Sequence, residues 1–181
     1  MLATLSNVDA SPKLTSKNIC ERNLAAASKR HRIPPGLLYA IGLTESGYRG
    51  KLHPYALNVE GKAYFAKSAE EAVQIHNREM RRGRKLIDLG CMQINTKYHR
   101  HEFASLLAML NPAQNVDYAA RFLKRLKQRH GTWSLAVARY HAGDKNHLAQ
   151  KKYVCRVLNN LVLTGFAKRT EKVDKLCKSV G

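Results

Sequence analysis

The chain has 181 residues, 44% of them hydrophobic and 25% charged, which is enough apolar material for one domain with its own core. No apolar run approaches the roughly 18 residues of a membrane span, so a spanning segment is excluded. Lys and Arg outnumber Asp and Glu by 32 to 13, and the net charge of +19 draws polyanions such as nucleic acid, anionic lipid or an acidic cell-wall polymer.

Pro at helix starts and Gly at helix ends punctuate apolar periods of three to four, so the chain reads as mainly α. Asn18 and Glu21 predict a capping box opening a first helix through Arg30, with Ile19, Leu24 and Ala27 turned to the core. Pro34 and Pro35 start a second helix with Leu37, Leu38 and Ile41 on one face, and Gly47 is placed to supply a left-handed C-terminal cap. Periodicity then changes: Tyr55, Leu57 and Val59 alternate, Glu60-Gly61 can turn, and residues 62–65 return as a short strand. This predicts a small β or irregular insertion around residues 50–66.

Ser68 and Glu71 predict a capped helix to Arg82, stopped by Gly83. Phe103, Leu106, Leu107 and Leu110 follow helical spacing. Asn111-Pro112 separates them from a helix whose face is Val116, Ala119, Leu123 and Leu126, ended by Gly131. Two further helices are expected over 133–141 and 147–163, closed by Gly143 and Gly165. The last residues, 168–181, are polar and fray unless Cys177 ties them down.

One charged residue breaks the apolar pattern. Positions 37, 41 and 45 are four apart, so Glu45 shares the stripe of Leu37 and Ile41 and points inward. Apolar neighbours there desolvate the anion, and the negative end of the helix dipole sits beside it; both keep the proton on. A carboxyl protonated at neutral pH can donate to a leaving alkoxide in glycosidic cleavage. Asp88, Glu60 and Asp144 are the candidates for a second acid, each with an ordinary reading as a turn, strand-end or loop residue.

The stretch from Ile33 through Leu43-Thr44-Glu45-Ser46-Gly47 resembles the catalytic segment of lytic transglycosylases of the lysozyme-like superfamily. Gly90-Cys91-Met92-Gln93 resembles the family's Gly-Leu-Met-Gln, and Ala138-Arg139-Tyr140-His141-Ala142-Gly143 its Ala-Tyr-Asn-Ala-Gly. Asn111-Pro112 followed by Asn115 matches a further shared feature, and the four segments stand in family order. Two departures stand out: Cys91 in place of Leu, and His141 in place of Asn.

The resemblance implies a goose-type lysozyme-like helical domain over residues 18–165, between a polar N-terminal segment (1–17) and a basic C-terminal tail (166–181). It implies cleavage of the β-1,4 bond between N-acetylmuramic acid and N-acetylglucosamine in peptidoglycan glycan strands, giving a 1,6-anhydromuramoyl end. Glu45 is the single general acid and base. Ser46, Met92, Gln93, Asn115, Tyr140, His141 and Tyr55 are the expected substrate-binding residues, with Tyr140 near the Glu45 carboxyl and Tyr55 stacking on a sugar face. No cofactor and no metal are expected: His99 and His101 have no third ligand nearby.

The expected protein is a periplasmic monomer with secretion-system or flagellar components as partners. Residues 1–16 lack the apolar core of a signal peptide, so such a protein is a processed form or uses another export route. The basic charges are spread along the chain and form no recognisable nucleic-acid module. Acidic stem peptides on peptidoglycan already give the positive surface a partner. The competing functional readings are a hydrolytic muramidase using Asp88, and a non-catalytic wall-binding component. Four cysteines allow three two-bridge pairings. The expected bridge is Cys20 to Cys155, joining the first helix to the last, with Cys91 buried beside the active-site motif.

Overall fold

The computed structural model describes residues 17–142 and 146–178. Helix α1 (Ile19–His31) begins where the Asn18 carboxamide accepts from the backbone N–H groups of Cys20 and Glu21, satisfying two donors that the first turn leaves open. Helix α2 (Pro35–Ser46) has Pro at its first position and is apolar on almost every side, because it is sandwiched. It packs against α1 and against α8 (His147–Leu163). Leu38, Ala40 and Ile41 are fully enclosed. A Cβ at position 42 would lie 2.5 Å from the Leu52 side chain, so Gly42 lets the following hairpin close onto the helix.

That hairpin pairs β1 (Gly47–Tyr48) with β2 (Lys51–Leu52). Gly47 is therefore not the left-handed cap expected: its φ of −62° and ψ of 118° are extended, because the chain runs straight from α2 into a strand. The left-handed residues come two positions later, at Arg49 and Gly50, in the turn. The next hairpin, β3 (Ala56–Val59) and β4 (Lys62–Phe65), turns at Glu60-Gly61 as expected, both with positive φ.

Helix α3 (Ala69–Arg81) starts on Ser68, whose hydroxyl accepts from the Glu71 N–H. The chain then returns to the sheet, adding β5 (Ile87–Leu89) and β6 (Ile94–Asn95) in the antiparallel order β4-β3-β5-β6. The β-layer is thus larger than the 50–66 insertion predicted. Its last two strands are too short to show alternation and exist through pairing, β5 to β3 and β6 to β5.

Phe103 does not extend a helix to Leu110. A four-residue α4 (Thr96–His99) and a 3-10 turn at Arg100–Glu102 precede it, and α5 (Leu106–Leu110) starts only after Ser105 caps the Ala108 N–H. Helix α6 (Pro112–His130) opens on Asn111 and buries Val116, Ala119, Leu123 and Leu126, the predicted face. Helix α7 (Trp133–Ala142) packs between α6 and α8, and α6 also carries α1. The expected stop at Gly143, and Asp144, lie outside the described residues.

The cysteines pair as Cys20–Cys91 and Cys155–Cys177, which corrects both the expected Cys20–Cys155 bridge and the free Cys91. The physical reason is placement: Cys20 on α1 faces the turn after β5, whereas Cys155 on α8 faces α9 (Glu171–Lys178). The second bridge holds the polar C-terminal segment as a helix against α8.

Much of this architecture converges on one side chain. Asn115, fully buried on α6, donates to the carbonyls of Leu89 and Met109, each at 2.9 Å, and accepts from the Met92 N–H at 2.9 Å. Asn115→Ala orphans all three groups, and urea denaturation should read a loss of roughly 2–4 kcal/mol. A change below half a kcal/mol would show that the turn holds without it.

Candidate active site

Glu45 occupies the last turn of α2, partly buried at the place where α2, α7, α8 and the turn at residues 90–93 meet. Tyr153, enclosed on α8, donates its hydroxyl to Glu45 Oε1 at 2.5 Å. Helix α8 is registered on α2 about two turns further along α8, where the Asn160 amide donates to Thr44 Oγ1 at 2.9 Å. Tyr140 lies close enough for the Glu45 charge to act on its phenol, but it donates to the Met92 carbonyl at 2.9 Å.

The turn between β5 and β6 forms the opposite wall, and it is fixed at every position. Gly90 has a φ of +81°, and a Cβ there would meet the Asn115 amide at 2.7 Å, so only glycine fits both the conformation and the space. Cys91 is bridged to α1, and its carbonyl accepts from Ser46 Oγ at 2.7 Å. Gln93 is held left-handed with a φ of 45°, and its amide donates to the carbonyls of Ala56 (3.0 Å) and Gly90 (2.9 Å).

Burial of the Glu45 carboxyl lifts its pKa to about 8. The Tyr153 hydrogen bond opposes that rise, the Asp88 charge adds to it, and the Arg156 guanidinium lessens it. Asp88 stands on β5 and is itself raised by burial, while Asn95 donates to its Oδ1 at 2.7 Å and offsets part of the effect. The phenols of Tyr140 and Tyr153 are pushed well above their ordinary value, first by burial and then by the Glu45 charge, so both remain donors. His141 lies flat on the Tyr153 ring with centroids 4.4 Å apart; burial, then the Arg156 charge, lowers its pKa and leaves it neutral at pH 7. The site can therefore hold a proton at neutral pH on a carboxyl that a phenol orients.

The residues expected at the site separate into two groups. Ser46, Met92 and Asn115 are at most 2% exposed and meet protein on all sides. In this arrangement they build the wall. Gln93 is partly buried in that wall, and Tyr55 is partly buried beside Ala56, whose carbonyl takes the Gln93 amide. Tyr153 joins Glu45 and His141, and Tyr140 stands close enough to feel the Glu45 charge. Glu60, a candidate second acid, lies in the distant hairpin turn, held by Arg84 and by the Lys85 N–H at 3.0 Å each.

Sequence reasoning missed Tyr153, Arg156 and Asn95. Tyr153 shares the buried face of α8 with Gln150 and Val157, where a tyrosine reads as core filling. Among the described residues no group of three His, Cys, Asp or Glu could hold a metal. His99 spends Nδ1 on the Tyr118 hydroxyl at 2.8 Å. No helix among the described residues is long and apolar enough to cross a membrane.

A family model described as the transglycosylase SLT domain matches residues 22–161, a span that runs from α1 almost to the end of α8 and includes every wall of the site. No curated protein and no solved structure matches the chain significantly. With the family model covering most of its length, and the helical lysozyme-like architecture in agreement, the chain belongs to the transglycosylase SLT domain family.

Proposed function

We propose that this protein is a peptidoglycan lytic transglycosylase that cleaves the β-1,4 bond between N-acetylmuramic acid and N-acetylglucosamine, with Glu45 as its single general acid and base. The carrying observation is the Glu45 carboxyl, raised to about 8 by burial and bonded by the Tyr153 hydroxyl. Protonated Glu45 gives its proton to the glycosidic oxygen as the bond to the muramoyl anomeric carbon breaks. The carboxylate so formed takes the proton of the muramoyl C6 hydroxyl, whose oxygen closes on the same anomeric carbon. Glu45 ends protonated again, and no water enters the product. The second step is intramolecular, which favours it over hydrolysis in a pocket that excludes solvent. Tyr153 acts as a positioning residue, stabilising the carboxylate between the two steps. Peptidoglycan lies outside the cytoplasmic membrane, which fits a periplasmic site of action.

Asp88 supports a second reading, because its charge acts on Glu45. A muramidase would use it to hold a water. Mass spectrometry of digested sacculi separates the two: anhydro ends, lighter by one water, mark the transglycosylase, and reducing ends alone mark the hydrolase. Glu45→Gln should cut turnover by at least about a hundredfold with the fold intact. Asp88→Asn should leave anhydro products; if it were as damaging as Glu45→Gln, the hydrolase reading would win.

The donor must be protonated in the free enzyme, so kcat/KM should hold at neutral pH and fall as pH rises through about 8. Tyr153 favours the ionised form, so Tyr153→Phe should move this alkaline limb upward while lowering kcat. A limb that stays in place would detach Tyr153 from the titration.

Folding carries the same signature. The unfolded chain ionises Glu45 near ~4.3, whereas the folded one retains the proton to about 8. The contribution to stability is complete below the first value and is lost as pH rises through the second. Glu45→Gln cannot ionise, so its Tm should exceed the wild-type value by more at pH 9 than at pH 5. Parallel Tm curves would show a carboxyl that is not desolvated.

A further inference from the structure

Beside the carboxyl lies a second feature, basic rather than acidic. Lys152, Arg156 and Asn159 are spaced three to four apart on α8 and so share one face of it. With His141 of α7 and the Cys155–Cys177 bridge to α9, they line a cavity of about 550 Å³. No carboxylate lines it among the described residues. On α9, Asp174 is taken by Arg169 at 2.8 Å. Lys152 and Arg156 are exposed, and among the described residues no direct ion pair joins either to a carboxylate; Arg156 acts on Glu45 through its charge alone.

The cavity adjoins the Glu45 site through one ring. His141 stacks on Tyr153, the Arg156 guanidinium stands 5.6 Å from the centre of that ring, and the Tyr153 hydroxyl reaches Glu45. A second acid-binding feature so placed has a natural ligand in the proposed substrate, because the muramoyl sugar whose bond is cleaved also carries the peptide. We propose that the cavity between α8 and α9 is a subsite for the free carboxylates of the peptidoglycan stem peptide, with Lys152 and Arg156 as the charge partners and Asn159 as an amide donor. This rests on the transglycosylase reading, and it makes the enzyme one that selects peptide-bearing over peptide-free strands. It also gives His141, where the family has Asn, a place: its ring lines the cavity and stacks on Tyr153, which bonds the catalytic acid.

The test uses the disaccharide N-acetylglucosaminyl-N-acetylmuramoyl peptide, which lacks the scissile bond and so binds without turnover. Calorimetric titration of wild-type protein compares the free-acid peptide with the same molecule amidated at its carboxyl groups. The free acid should bind roughly three- to tenfold tighter, a gap typical of partly exposed charge pairs, and the gap should shrink in high salt. Lys152→Gln combined with Arg156→Gln should close it, and Lys152→Arg should retain it. Equal affinity for the two forms, a gap that survives the double substitution, or no measurable binding of the free acid would each overturn the subsite. Anhydro-product release from peptide-free strands is read separately. Its failure removes the transglycosylase reading, while its success with no preference in the titration removes only the subsite.

Discussion

Placing an ionisable carboxyl in the last turn of an apolar helix, away from water, is the constraint around which this fold is organised. The cost appears as the lift of the Glu45 pKa to about 8, and it is reduced by the Tyr153 hydrogen bond to the carboxyl. Helix α2 is gripped on one side by α1 and on the other by α8, with the Asn160–Thr44 bond fixing their register. Tyr153 then meets the carboxyl in the one orientation where a phenol can serve both its protonated and its ionised form.

The opposite wall is built by a different rule. A four-residue turn between two very short strands has little stability of its own, yet it must keep its distance from Glu45. The turn is fastened by buried or half-buried side chains: the Asn115 amide, the Ser46 hydroxyl, the Gln93 amide and the disulfide from Cys20. Asparagine at 115 satisfies an N–H and two carbonyls at once, which no apolar residue of that size could do. Polar residues in such a motif invite a substrate-binding reading, but here Asn115 and Ser46 act on the backbone of the wall.

What could be read in the sequence follows from how local each signal is. Glu45 was legible because a charge on an apolar helical stripe is a contradiction within twelve residues of chain. The helices of α6 and α8 were legible because Asn111-Pro112, Gly131 and an unbroken apolar period are local too. Strands β5 and β6 were not, since two or three residues carry no period, and β5, on which β6 pairs, has its own partner β3 some thirty positions earlier in the chain. Tyr153 was hidden for a related reason: its partner is 108 residues away, and on its own helix it is one more buried side chain. Gly47 shows the limit at single-residue resolution, where an end-of-helix glycine served a strand and the left-handed turn fell at Arg49 and Gly50.

The cysteines extend that lesson to energetics. Cys91, where the family pattern has leucine, looked like a small hydrophobe; instead it ties the wall of the site to α1 across a sequence separation of 71 residues. Closing a loop of that length removes about 4 kcal/mol of freedom from the unfolded chain. Holding Glu45 protonated costs stability on the order of a few kcal/mol near neutral pH. The two quantities are of similar size and act on facing walls of one site, so the bridge offsets the destabilisation that the carboxyl introduces. Such compensation requires an oxidising compartment, which is also the side of the membrane where peptidoglycan is found.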